Sequence, residues 1–83
     1  MQEEHNSSDK TELITKLKDE EAELLAKLNK LSTFLLDSDK TSKIDDNQLQ
    51  LLKMQQQAMA NYQRILVARI FHLETDKGGH NND

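Results

Sequence analysis

The sequence predicts an all-α protein: an antiparallel, coiled-coil-like two-helix hairpin that assembles into a homo-oligomeric helical bundle. Three observations predict this fold. Proline is absent, glycine occurs only twice, and charged residues make up 31% of the 83 residues, which is typical of long helices. Apolar residues recur in steps of three and four along two segments separated by a short polar stretch. The second segment is also apolar on more sides than one partner helix can cover.

The first helix is expected over residues 9–36, after a disordered N-terminal tail of residues 1–8. Asp9 suits the N-cap position, and Glu12 three residues later completes a capping-box-like pair. An apolar stripe with steps of three and four then runs along this helix, and we expect that stripe to face the second helix. It consists of Ile14, Leu17, Glu21, Leu24, Leu28, Leu31 and Leu35.

A loop is expected over residues 37–44, because DSDKTSK contains the Asp and Ser residues that favour turns. The second helix is expected over residues 45–76, starting at Asp45. It should end before Gly78, which suits the position just beyond a helix C-terminus; residues 78–83 form a second disordered tail. The stripe predicted for this helix is Gln48, Leu52, Gln55, Met59, Tyr62, Leu66, Arg69 and Leu73.

The two stripes align if the chain reverses near residue 41. In that register Leu17 faces Leu66, and Glu21 faces Tyr62, the only tyrosine of the chain. We expect the Glu21 carboxylate to accept a hydrogen bond from the Tyr62 hydroxyl, because polar groups near a seam need partners.

Further apolar side chains of the second helix fall outside the predicted stripe and point to other sides. A helix that is apolar on several sides has to be buried on several sides, and so small a chain has little surface with which to cover it. We therefore expect a homo-oligomer that packs through the C-terminal half of this helix. The expected interface residues are Met54, Ala58, Ile65, Val67, Ile70 and Phe71.

The sequence offers little support for catalysis. It contains no HExxH, CxxC, GxSxG or phosphate-loop motif, so we expect no enzyme. It contains no cysteine and its histidines do not cluster, so we expect no disulfide, no metal site and no cofactor.

Charge and hydropathy limit the partners. The net charge of -4 argues against DNA or RNA, which require a basic surface. No apolar run approaches the roughly 20 residues that span a bilayer, so we expect no membrane association. The segment MQEEHNSSDK lacks the apolar core of a secretory signal, so a cytoplasmic location is expected.

Two residues of the second helix suggest a binding role. Arg69 falls at a seam position facing Ile14, where a cation is costly without a partner. It can form a salt bridge to another chain, or it can bind phosphate, which suits the guanidinium geometry. Tyr62 is either the seam partner of Glu21 or a stacking surface for a base.

Both helices resemble a family of small bacteriophage helical-hairpin proteins. The resemblance lies in KLKDEEAELLAKLNKLSTFL (16–35) and in LLKMQQQAMANYQRILVARI (51–70). The second segment follows the pattern LL-x-x-Q-x-x-x-M-x-x-Y-x-x-[IL]L-x-x-RI. This family is similar, more distantly, to the hairpin domain of phage anti-CBASS and anti-Thoeris proteins.

That resemblance implies a function. The anti-CBASS and anti-Thoeris proteins are sponges: they form oligomers that sequester cyclic-nucleotide immune signals without cleaving them, in pockets between neighbouring subunits. A first-helix lysine followed by an acidic pair helps to hold the ligand, and Lys16 ahead of Glu20 and Glu21 sits at a comparable place. The expected ligand is a cyclic di- or trinucleotide. Lys16 and Arg69 would contact its phosphates and Tyr62 would stack on a base, in the cytoplasm of the host cell.

A second interpretation of the sequence assigns the chain a different kind of function. The chain would be a protein–protein interaction or structural module that binds a host or phage protein through the apolar face of its second helix. Recognition of a helix in a groove requires only such an apolar stripe.

Overall fold

The computed structural model describes the backbone of residues 2–75 and the side chains of residues 9–75. This part of the chain forms three helices, α1 (Gln2–Leu36), α2 (Ser38–Thr41) and α3 (Asp46–Thr75), and contains no strand. The two long helices pack against each other and run antiparallel. The predicted all-α hairpin is therefore confirmed, while its assembly into an oligomer stays a prediction.

Helix α1 is longer than predicted at its N-terminus. It begins at Gln2 and ends at Leu36, so residues 2–8, expected to be a disordered tail, continue the helix and Asp9 lies inside it rather than capping it. No proline or glycine occurs before Asp9 to interrupt the backbone hydrogen bonds.

The turn between the long helices is built on Asp37. Its side-chain oxygen Oδ1 accepts hydrogen bonds from the backbone N–H groups of Asp39 at 3.1 Å and Lys40 at 3.3 Å. Asp37 is thereby the N-cap of α2, a single helical turn within the segment predicted to be a loop. The carbonyl of Thr41 then accepts from the backbone N–H of Ile44 at 3.3 Å, and the chain enters α3.

Helix α3 is capped by Asp45, the residue at which the second helix was predicted to start. The Asp45 Oδ1 atom accepts from the backbone N–H of Gln48 at 2.7 Å, which is the expected N-cap contact with the third helical residue. The described part of α3 ends at Thr75. The predicted cap at Gly78 and the predicted tail of residues 78–83 lie outside the described residues.

The core lies between α1 and α3. Its buried members are Leu17, Leu24, Leu66 and Ile70, and Met59 and Leu73 pack against them. Leu66 is fully buried, at 0% exposure. Leu17 and Leu66 belong to the same cluster, in agreement with the predicted pairing.

The predicted stripe on α3 was right at every second position and wrong at the others. Residues Leu52, Met59, Leu66 and Leu73 face inward, but Gln48, Gln55, Tyr62 and Arg69 are exposed. The next residue takes the inward place each time: Leu49, Gln56, Gln63 and Ile70. This frame places two aliphatic side chains inward and leaves the Arg69 cation in water, which avoids the cost of desolvating a charge.

Within the described side chains, two glutamines of α3 donate hydrogen bonds to α1 across the seam. The Gln63 Nε2 atom donates to the Glu21 carboxylate at 2.7 Å, and the Gln56 Nε2 atom donates to the Ser32 hydroxyl at 2.8 Å. The predicted contact between Glu21 and Tyr62 was therefore wrong: the acid has the expected role, but its partner is the neighbouring amide. Within the described side chains, no buried nitrogen or oxygen atom lacks a partner.

Candidate functional site

The predicted interface residues are exposed, with one exception. Met54, Ile65, Val67 and Phe71 are exposed at 64%, 56%, 46% and 66%, and Ala58 is exposed too. Ile70 is the exception. It is 9% exposed and belongs to the core of the hairpin, because the α3 stripe is displaced by one residue at this position. Ile70 therefore cannot contribute to an interface between chains without opening the hairpin.

One side of the hairpin carries a groove between the two long helices, close to the end of α3. The groove has a volume of about 380 Å³, and we call this side the Arg69 face. Apolar side chains form most of its lining, and the Arg69 guanidinium and the His72 imidazole supply the polar groups. The lining residues are Leu13, Ile65, Ala68, Arg69, His72 and Leu73.

Lys16 and Tyr62 extend the Arg69 face. Lys16 lies one turn along α1 from Leu13, and Tyr62 lies one turn before Ile65 on α3. Because the helices are antiparallel, both steps lead in the same direction from the groove. The structure therefore brings the three predicted ligand-binding residues to one side of the hairpin, and all three are exposed.

The charge around this face is uneven. From Asn47 to Leu73, helix α3 contains no acidic residue, and within the described residues no carboxylate pairs with Arg69. On α1, Glu20 is exposed one turn beyond Lys16, whereas Glu21 faces inward to Gln63. Only Glu20, of the acidic pair noted in the sequence, therefore opposes the cations at this surface.

The other side of α3 carries a second groove, with a volume of about 490 Å³. We call it the Phe71 face. Its lining is again mainly apolar, with the exposed Phe71 ring at one end. The Arg64 guanidinium at the other end donates a hydrogen bond to the side-chain oxygen of Asn61. The residues that line it are Gln63, Arg64, Val67, Ala68 and Phe71.

Two residues that line the groove on the Arg69 face, His72 and Leu13, were not predicted from the sequence. His72 follows Arg69 by three residues, which places the two side chains on the same side of a helix. If Ile70 rather than Arg69 is taken to face inward, that spacing predicts that His72 lies beside Arg69 on the exposed surface. The residues opposite Leu13 depend on the register between the helices, so the apolar pattern alone does not place Leu13 in this groove.

The described residues contain no group of three or more His, Asp or Glu side chains placed to hold a metal ion. In the same part of the chain, no helix is both long and apolar enough to cross a membrane. Among the grooves of the described residues, two thus lie on either side of α3, and each is open, largely apolar and has an arginine at its edge.

These features define the class: an all-α helical-hairpin protein with open grooves beside its second long helix. The family described as Sequestin matches residues 11–72, and the chain belongs to this family. The matched segment contains the four buried core residues and the lining of the groove on the Phe71 face. It also contains the lining of the groove on the Arg69 face except Leu73. The family name is consistent with a sequestering function. Comparisons with curated proteins and with solved structures find no match.

Proposed function

We propose that the chain is a non-enzymatic, homo-oligomeric phage anti-defence protein that sequesters a cyclic nucleotide immune signal at a subunit interface. The observation that carries this proposal is the position of Lys16, Tyr62 and Arg69 on one side of the hairpin, next to an apolar groove. Membership of the Sequestin family supports the sequestering part, and the resemblance to the phage sponges suggests the ligand class.

The three residues have complementary roles. A cyclic nucleotide combines phosphodiester anions with flat, apolar bases. Arg69 offers a planar guanidinium for paired hydrogen bonds to a phosphate, and Lys16 offers a compact positive charge. Tyr62, which is 44% exposed, presents an aromatic surface for a base. No step breaks a covalent bond, so the ligand leaves unchanged.

A subunit interface suits this role better than a single chain. The groove on the Arg69 face, at about 380 Å³, lies near the lower limit of small-ligand pockets, which span roughly 300–1,000 Å³. It is open to solvent, so a phosphate bound there by one chain would stay well hydrated and weakly held. A neighbouring chain that covers the groove would exclude water and add its own cations.

Calorimetry with a panel of cyclic di- and trinucleotides tests the ligand. We expect at least one to bind, and Arg69→Gln to weaken that binding at least about tenfold, because one charged phosphate contact is worth roughly 1.5–3 kcal/mol. Lys53→Gln is the matched control, since Lys53 is an exposed cation of α3 outside the Arg69 face. Mass spectrometry of released ligand should find it intact. No heat from any cyclic nucleotide would refute the ligand assignment.

The exposed Phe71 ring supports a second candidate, a module that binds a host or phage protein through the apolar face of α3. Phe71 is 66% exposed beside the second groove, and large exposed apolar patches often mark protein contacts. The two candidates differ in a purified system. A sponge binds its ligand without any other protein, whereas the module gives no small-molecule binding and a stoichiometric complex with its partner.

A further inference from the structure

One stripe of α3 combines two opposite charges with two exposed apolar side chains. Arg64, Val67, Phe71 and Glu74 follow one another in steps of three, four and three, so they share one side of the helix. Val67 and Phe71 are exposed at 46% and 66%, and the Glu74 side chain at 43%. The positive group lies at one end of this stripe and the negative group at the other.

This order of side chains is self-complementary. When a second copy of α3 lies antiparallel against the stripe, with a two-fold axis that crosses the stripe midway between Val67 and Phe71, Val67 of each copy faces Phe71 of the other. The same axis places Arg64 of each copy opposite Glu74 of the other. A two-fold contact uses one patch on both chains, so each pairing occurs twice.

We propose that two copies of the chain associate through this stripe, with α3 antiparallel to α3 and paired as described above. The proposal rests on the homo-oligomeric part of the proposed function and does not depend on which ligand is bound. It assigns the Phe71 face to contact between chains and leaves Lys16, Tyr62 and Arg69 on the other side of each hairpin.

The charges favour a second copy as the occupant. Within the described residues, Arg64 forms no salt bridge with a carboxylate. It donates a hydrogen bond to the neutral side chain of Asn61. Helix α3 has no acid between Asn47 and Leu73, so a carboxylate for Arg64 has to come from elsewhere. Glu74 of the second copy supplies this carboxylate, because Glu74 and Arg64 lie equally far from the two-fold axis along α3. A guanidinium has five N–H donors, so it can bind both groups.

Other polar groups near the stripe are compatible with this contact. Lys18 on α1 donates to the Glu74 carboxylate at 2.7 Å, and a carboxylate has enough acceptor positions to bind a second cation. Gln63 lines the groove, but its amide donates to Glu21 within the hairpin. This hydrogen bond directs the Gln63 amide nitrogen toward α1.

The small core gives a physical reason for association. Among the described side chains, only Leu17, Leu24, Leu66 and Ile70 are buried apolar residues. Val67 and Phe71 expose large side chains beside that core. Burying both on each chain would remove apolar surface from water, which stabilises folding and association together.

A charge exchange tests the pairing, with sedimentation equilibrium of the full chain at several concentrations and low ionic strength. We expect Arg64→Glu and Glu74→Arg each to raise the dissociation constant at least about tenfold, because each places like charges opposite each other twice. The double variant Arg64→Glu/Glu74→Arg restores opposite charges across the axis. It should recover most of the lost association.

Lys53→Glu is the matched control, since it makes the same charge change on α3 outside the stripe. It should associate like the wild-type chain, and circular dichroism should show that all variants remain helical. A double variant as weak as the single variants, or an equal loss in Lys53→Glu, would overturn the pairing. If the wild-type chain remains a folded monomer, both the pairing and the homo-oligomeric part of the proposed function are overturned. Calorimetry with cyclic nucleotides measures ligand binding separately, so a failure of the ligand assignment can be distinguished from a failure of the α3–α3 pairing.

Discussion

The Gln63 amide nitrogen Nε2 donates a hydrogen bond of 2.7 Å to the Glu21 carboxylate. The two residues lie on different helices and are half-buried. A half-buried acid is stable at such a position only when a donor satisfies it, and a hydrogen bond to a charged group is stronger than one between neutral groups. This contact belongs to the frame in which Gln63 faces α1 and Tyr62 is exposed on the Arg69 face.

Glu21→Ala should lower the free energy of unfolding by about 1–2 kcal/mol, because it leaves the Gln63 amide half-buried without its acceptor. Urea denaturation at a fixed protein concentration measures the change. Tyr62→Phe is the control, since the hydroxyl of Tyr62 is not the partner of Glu21, and it should change stability by less than about 0.5 kcal/mol. A Tyr62→Phe variant as destabilised as Glu21→Ala would contradict the observed frame.

Leu66→Ala should be among the most destabilising single changes in the hairpin. Leu66 is 0% exposed, and truncating a buried leucine costs about 2–5 kcal/mol through lost burial and a residual cavity. Leu36→Ala makes the same chemical change where the side chain is 87% exposed, and should cost less than about 0.5 kcal/mol. Denaturation midpoints of the two variants give the comparison, and equal losses would mean that the core lies elsewhere.

Asp45→Ala should lower the free energy of unfolding by about 1 kcal/mol, because the backbone N–H of Gln48 loses its acceptor. Asp45→Ser keeps an oxygen at the cap and should retain most of the stability. Chemical denaturation at one protein concentration measures both variants. If serine proved as harmful as alanine, the cap hydrogen bond of 2.7 Å would not be the source of the effect.

The Lys18–Glu74 pair should contribute little to the stability of a single hairpin. The two side chains are 56% and 43% exposed and lie 2.7 Å apart, and such solvated pairs are worth about 0–1 kcal/mol. Lys18→Gln should therefore change the free energy of unfolding by less than about 1 kcal/mol, and the change should shrink further in high salt. A loss of several kcal/mol that persists in high salt would show that the pair is buried, for example by another chain.

Much of the fold follows from the sequence because helix formation depends on local signals. The steps of three and four in the apolar pattern predict the two long helices, and the Asp45 side chain predicts the start of α3. The inward frame of α3 was harder to predict, since Leu52, Met59, Leu66 and Leu73 fit two frames equally well. The choice depends on whether Arg69 or Ile70 is buried, and the desolvation cost of the cation decides it.

The candidate site was predictable as a set of residue types but not as a surface. Arg69 and Tyr62 were selected because a cation and a phenol were expected to need partners at the seam, yet both lie outside it. Their exposure makes them available for binding, and their place beside Leu13 follows only from the packing of α1 on α3. Ile70 was predicted to lie at an interface between chains but is in the core, because the predicted frame placed Arg69 at the inward position that Ile70 occupies.

Native mass spectrometry of the full chain with a cyclic di- or trinucleotide tests the central claim most directly, because it counts chains and intact ligands in one complex. The account predicts that ligand of unchanged mass is found on assemblies of two or more chains. It also predicts that Arg69→Gln lowers the bound fraction while the assemblies persist. Monomers alone, assemblies that bind none of the cyclic nucleotides, or ligand bound equally well to monomers would contradict it.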